Sequence, residues 1–286
     1  MKSRWLVALM LLMSQTLYAA ITVHDDRGHR FTFERPPQRI ISLAPHVTEL
    51  LYAVDAHAQL VGADEGSDYP AAAKQLPRIG DYSRVNFERV AALKPDLIIG
   101  WRSGNRAADI YRLRQMDIPV LLTDAHSLTD VTKQLRLIAQ TTGHVDAGER
   151  AAREFDVRLT KLRERYASTP PRRVFYQVWD QPLMTVGGMH WINDAITLCG
   201  GRNIFAELKG AAPLVSLEAV LTRAPEMIIS GDDAPDRRSM WLRFPRLPAV
   251  QRRALIRMDV DALHRPTPRV LDGVAKLCTE IASTAR

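Results

Sequence analysis

Past residue 20 the chain alternates short, unbroken apolar runs with longer stretches in which apolar residues recur every three or four positions. The runs at 39–43, 60–63, 97–101 and 119–123 in the first half, and at 174–179, 227–230 and 255–258 in the second, read as strands buried on both faces. Between them, 109–116 and 128–142 carry helical spacing. Strand and helix in alternation predict parallel sheets covered by helices, an α/β fold. Between the halves, Ala147, Ala151, Phe155, Leu159, Leu162 and Tyr166 form one apolar stripe in a charged segment, and Ser168, Thr169, Pro170 and Pro171 stop it. Residues 146–167 are therefore expected to be a long helix connecting a lobe at 21–145 to a second at 168–286.

An internal echo supports two lobes. Residues 86–99 match 216–229 without a gap, at an offset of 130, with Glu, Val, Pro and a final Ile-Ile in common. Each copy reads as a helix capped by Asn86 or Ser216, closed by Pro95 or Pro225 and followed by a buried strand. Glu88 and Glu218 then fall at the second helical position, where exposed amides favour a negative charge. That alone accounts for them structurally. Two equivalent acids on two similar lobes would also suit a partner with two-fold symmetry.

The first 20 residues follow a different rule. Lys2 and Arg4 precede an apolar run at 6–13 and a small-residue end at Ala19 and Ala20, the pattern of a cleaved signal peptide. The run falls short of the roughly 20 apolar residues a membrane anchor requires. The expected compartment is the periplasm, where an oxidising environment favours a disulfide between Cys199 and Cys278, the only cysteines; two free buried thiols are the alternative.

At 286 residues and 46% apolar composition the chain is long enough for two packed lobes. The formal charge of +7 stays basic without Lys2 and Arg4, but the arginines are dispersed among acids rather than clustered with aromatics, which argues against nucleic-acid binding. The sequence has no HExxH, GxSxG or GxxxxGK[ST] pattern, so no catalytic residue is assigned and no enzyme activity is expected. A zinc or manganese capture protein would need histidines and carboxylates converging, with His46 and His264 as candidates.

Several motifs carry a resemblance to a known family. Asp26 to Gly28, Pro37 to Pro45 with Thr48 to Leu50, Ser67 to Pro70, Leu93 to Leu97 and Cys199 to Phe205 together resemble the helical-backbone periplasmic binding proteins, which deliver vitamin B12, haem or ferric siderophores to ABC importers. Ser67 to Pro70, Asn86 to Val90, Trp101 to Asn105 and Val215 to Glu218 are most similar to the cobalamin-binding subgroup. The resemblance implies two Rossmann-like α/β lobes joined by a single rigid helix, a ligand in the cleft between them, and permease arginines that meet Glu88 and Glu218. It implies a soluble monomer whose partners are cobalamin and the permease and ATPase subunits of an importer, with no resident cofactor or metal.

A corrinoid presents apolar faces and an amide-bearing rim, so its cleft calls for aromatic walls and a few fixed polar groups. Tyr69, Tyr82 and Trp101 from the first lobe, and Trp179, Asp261, His264 and Arg265 from the second, are the candidates. Trp191 reads instead as a helix-start residue packing on its own lobe. The chain departs from the subgroup at 210–214, where Gly210, Ala211 and Ala212 stand where a tryptophan can occur, and at Tyr82. Those departures leave haem or another corrinoid open as ligand, and a ferric siderophore is the further alternative within the family. Haem would need an axial ligand, which Tyr69, Tyr82 or His264 could supply.

Overall fold

The computed structural model describes residues 20–81, 83–231, 238–259 and 261–283. Residues 1–19 of the expected signal segment and Tyr82 lie outside the described residues. Two four-stranded parallel sheets form the framework. The first runs in the order Leu60–Ala63, Ile40–Ser42, Leu97–Trp101, Val120–Thr123, and the second Gly201–Asn203, Arg172–Gln177, Met227–Gly231, Leu255–Met258. In both, the chain starts next to one edge, crosses to that edge, and then returns past its starting strand, so the two lobes share one strand order.

The internal echo extends to the backbone. Asn86 Oδ1 accepts from the Arg89 amide and Ser216 Oγ accepts from the Ala219 amide, capping helices Phe87–Leu93 and Leu217–Arg223. Both helices end on a left-handed residue, Lys94 at φ 46° and Ala224 at φ 45°, which turns the chain into a proline and the next strand. Asp96 and Glu226 each accept a backbone amide at the start of the neighbouring strand, from Arg39 and Arg173. Those two arginines in turn donate to the carbonyls at the helix C-termini, Leu93 and Ala224 among them.

Helix Leu128–Thr142 forms over the expected residues, with Ser127 and Asp130 as a capping box. Helix Val145–Tyr166 then carries the chain from the first sheet to the second, burying Ala147, Phe155, Leu159 and Tyr166 along one stripe. Phe155 and Leu159 belong to a single apolar core that contains Ile40, Leu97 and Leu121 of the first sheet and Val174, Tyr176 and Met227 of the second. The opposite faces of the sheets have their own separate clusters, around Ile98 and around Phe175. The lobes thus share a core on one face, which opposes large relative motion.

Cys199, at the end of helix Trp191–Leu198, is bonded to Cys278 of helix Val270–Ser283, with Cα atoms 4.5 Å apart. Three short antiparallel ribbons escape the apolar-run reading: Ile21–His24 with Arg30–Phe33, Gly80–Asp81 with Arg84–Val85, and Trp179–Asp180 with Leu183–Met184. Their strands are too brief or too polar to leave a period. Among the described residues no helix is long and apolar enough to cross a membrane.

Candidate functional site

In open parallel sheets of this order, ligands settle beyond the carboxyl ends of the strands where the winding direction reverses. That point in the first lobe lies between Ser42 and Trp101, and the chain there continues into helix Pro45–Ala53. A cavity of about 370 Å³ opens at this place and is closed by the second lobe. Pro45, His46 and Trp101 line it from the first lobe; His190, Trp191, Ala211, Ala212, His264 and Arg265 are among its second-lobe walls. A larger hollow of about 520 Å³ lies beside Glu88, but it draws on the first lobe alone, and its walls include Arg84 and Arg112. A further hollow of about 440 Å³ is also lined by both lobes, with Glu49, Tyr52 and Tyr69 on the first and Thr267, Pro268 and Arg269 on the second, but the cavity at the switch point is the one with Trp101 and Trp191 among its walls.

Trp101 is held from every side. Its amide donates to Asn105 Oδ1 at 2.6 Å, its indole Nε1 donates to Asp124 Oδ1 at 3.2 Å, and the His46 ring meets it edge to face at 5.2 Å. Gly104 lies under the indole so closely that a Cβ there would fall 1.9 Å from the ring, so only glycine fits. Asn105 ties the same loop back to the sheet by donating to the Leu43 carbonyl. The result is a rigid aromatic face set before a ligand arrives.

Three histidines share the cavity. His46 and His190 are buried, which lowers each pKa from 6.5 to about 3, with the charge of Arg265 adding to the effect at His46 and that of His264 at His190. Both are neutral at physiological pH. His46 Nε2 is buried without a hydrogen-bond partner. His190 Nδ1 accepts from the Ile192 amide and its ring stacks on Trp191 at 3.9 Å. His264 Nε2 shares a hydrogen bond with the Tyr176 hydroxyl at 2.9 Å.

The remaining candidates divide. Trp101, His264 and Arg265 line the cavity. Trp179 does not; it sits on its ribbon 49% exposed, its Nε1 donating to the Gln181 carbonyl, next to the cavity-lining Val178. Tyr69, also 49% exposed, lies outside the lining, with the Arg269 guanidinium 4.3 Å from its ring centre. Asp261 pairs with Arg265 at 2.7 Å and Arg269 at 2.8 Å. Burial opposes charge on Arg269, yet the hydrogen bonds it donates to Glu49 and Asp261 hold its pKa above the usual arginine value. Glu88 and Glu218 are both exposed at their helix starts.

Trp191 starts a helix and packs on its own lobe, as the sequence reading has it, 4% exposed. Its Nε1 does donate within its own lobe, to the Leu263 carbonyl, but the indole also lines the cavity. Ala211 and Ala212, from the stretch in which the chain lacks a tryptophan, line the same cavity. His46 and His190 were legible as chemistry-bearing types, but nothing in local spacing distinguishes a histidine at a cleft from one in a core. Among the described residues no group of three or more His, Cys, Asp or Glu side chains is arranged to hold a metal ion.

Comparison with known proteins places this geometry. The family described as periplasmic binding protein matches residues 40–260. A vitamin B12-binding protein of Vibrio parahaemolyticus is 35% identical over 252 residues, 88% of this chain and 92% of that one. The crystal structure of the periplasmic vitamin B12 binding protein BtuF of Vibrio cholerae superimposes with a TM-score of 0.80 at 37% identity, covering 87% of this chain and 98% of that one. A periplasmic heme binding protein from Pseudomonas aeruginosa does so at 0.76 and 25% identity, over 87% and 94% of the two chains.

Proposed function

The chain belongs to the periplasmic binding protein family, and on that premise we propose that it captures vitamin B12 between its lobes and hands it to an ABC importer. The observation that carries this reading is the switch-point cavity lined by both lobes, to which the first contributes the fixed indole of Trp101 and the second Trp191. Flat apolar walls suit the faces of a corrin ring, and neutral imidazoles with the Arg265 donors suit its amide rim. The protein binds and delivers; it does no chemistry on its cargo. Within this reading Trp101, His264 and Arg265 contact the ligand directly, Trp179, Tyr69 and Asp261 border the cleft mouth, and Tyr82 is a further candidate.

The same reading makes residues 1–20 a signal peptide removed on export to the periplasm. The mature chain is then a monomer with lobes at 21–145 and 168–286 about the 146–167 helix. Glu88 and Glu218 dock on the permease, whose ATPase partner drives transport.

Calorimetric titration of the mature protein with cyanocobalamin, with haemin run in parallel, tests the assignment. Tight one-to-one binding of cyanocobalamin alone is expected. Binding of haemin alone would retain the transport role and replace the cargo, a possibility favoured by the neutral, unpartnered His46 as an iron ligand. Silence with both would refute the cargo assignment.

A further inference from the structure

Helix Pro45–Ala53 brings His46 to the cavity and, one turn further, buries Glu49 to 4% exposure. Among the described residues, every hydrogen bond of the Glu49 carboxylate comes from one five-residue stretch of the opposite lobe. Oε1 accepts from Arg265 Nη1 at 3.0 Å and Arg269 Nη2 at 2.7 Å; Oε2 accepts from Thr267 Oγ1 and Arg269 Nε, both at 2.8 Å. Asp68 reinforces the contact from the first lobe through Arg265 Nη1 at 2.7 Å, and Asp261 holds both arginines from the second. A buried carboxylate whose compensating charges all belong to another body resists separation from it, because parting leaves that charge unpaired out of water. The shared apolar core, which includes Leu50 of the same helix and Val270 next to Arg269, opposes the same motion.

The network also constrains Arg265, which lines the cavity. Its Nη1 donates to Glu49 and to Asp68, and its Nη2 is paired with Asp261 at 2.7 Å. The ring of acids therefore fixes the plane of the group at the cavity wall.

We infer that Glu49 is the positioning residue of the cleft: it clamps the 265–269 segment to the first lobe, sets the aperture between the lobes, and orients Arg265 toward carbonyl acceptors on the ligand rim. The clamp rests on the binding-protein reading only where ligand affinity is measured. Its mechanical part stands on the geometry alone.

The test uses Glu49→Gln, which keeps the side-chain volume and removes the charge. Spin labels placed through Tyr111→Cys and Leu242→Cys, two exposed positions on opposite lobes, report the inter-lobe distance by pulsed dipolar spectroscopy, with the native disulfide intact. In ligand-free protein the parent should give one narrow distribution and Glu49→Gln a broader one. Cyanocobalamin affinity should fall by roughly tenfold or more, the order expected when a buried charge loses its partner, and Glu49→Asp, which restores charge on a shorter arm, should recover part of it. An unchanged distance distribution in Glu49→Gln overturns the clamp, and unchanged affinity overturns the orientation of Arg265. If Glu49→Gln does not fold, Arg269→Gln, which leaves Glu49 bonded to Arg265 and Thr267, should broaden the distribution by a smaller amount, and the same null results overturn the inference. Should the parent bind neither cyanocobalamin nor haemin, the cargo assignment fails while the distance measurement still decides the clamp.

Discussion

Helices Phe87–Leu93 and Leu217–Arg223 agree in cap, length and left-handed end, yet they meet solvent differently. Around Glu88 the chain leaves a hollow walled by Arg84 and Arg112, and the Arg112 guanidinium sits 4.0 Å over the Phe87 ring. In the second lobe Arg223, itself exposed, instead donates to the Ile204 carbonyl, pairs with Glu207 and covers Phe205. A similar divergence holds at the cleft. The strand ending at Trp101 corresponds by the 130-residue offset to the one ending at Gly231, so the second lobe's indole comes from the start of a helix, at Trp191, rather than from a strand end. The repeated scaffold fixes where a side chain can be presented, and the loops decide which one is.

If that separation of scaffold from surface is right, the largest effect should be on transport. Glu88→Ala with Glu218→Ala should abolish importer-dependent uptake while leaving calorimetric affinity for cyanocobalamin within about twofold, since neither acid borders the cavity. Each single variant also probes the difference between the two surfaces: a greater loss from Glu88→Ala would mean that the arginine-walled hollow contributes to docking, and equal losses would mean that it does not. Loss of affinity in the double variant would show that docking and capture are not separate.

The disulfide belongs to one lobe only. Cys199→Ser with Cys278→Ser should cost about 4 kcal/mol for a bridge spanning 79 residues, seen as a lowered midpoint in denaturant titration. Hydrogen exchange should speed up in 172–283 more than in 40–123. Uniform acceleration would mean the shared core makes the two lobes one cooperative unit.

Acid sensitivity should involve both lobes. With pKa values depressed to about 3, His46 and His190 contribute stability that is complete above pH 6.5 and is lost as pH falls toward 3, by up to about 1.4 kcal/mol per pH unit for each group. Burial raises the pKa of Asp26 and Asp64, and these act in the opposite direction just above the normal carboxylate range. Denaturant midpoints measured from pH 7 to pH 4 should flatten in His46→Gln and in His190→Asn. An unaltered slope in both would mean the imidazoles are not the groups that take up protons on unfolding.

The smallest effect concerns the repeated helix ends. Lys94→Gly and Ala224→Gly relieve left-handed backbone at equivalent positions and should each stabilise by roughly 0.5–1 kcal/mol in thermal unfolding. Equal gains would support one scaffold used twice, and opposite signs would contradict it.

The scaffold was legible in sequence because its signals are local. Burial on both faces leaves 97–101 and 227–231 without a polar break until the strand end, and a cap, a proline and an offset can be counted. Cys199 and Cys278 were readable by elimination. The site was less so. Trp101 announces itself at a strand end, whereas Trp191 has the same local signature as any helix-start aromatic, and only the fold brings it into one cavity with Ala211 and Ala212. Glu49 gives less warning still: it lies in an apolar helix, and its partners at 265–269 are more than 200 residues away. Spacing cannot report a pairing of that range.

Because all strand pairing within each main sheet stays within one contiguous stretch, the two lobes are candidates for exchange between relatives, spliced within the helix that joins them. The inter-lobe ion cluster sets a condition on such chimaeras. A first half carrying Glu49 and Asp68 needs a second half carrying Arg265, Thr267 and Arg269, so these positions should be inherited together or replaced together, and a hybrid that separates them carries a buried carboxylate with no cation to meet it.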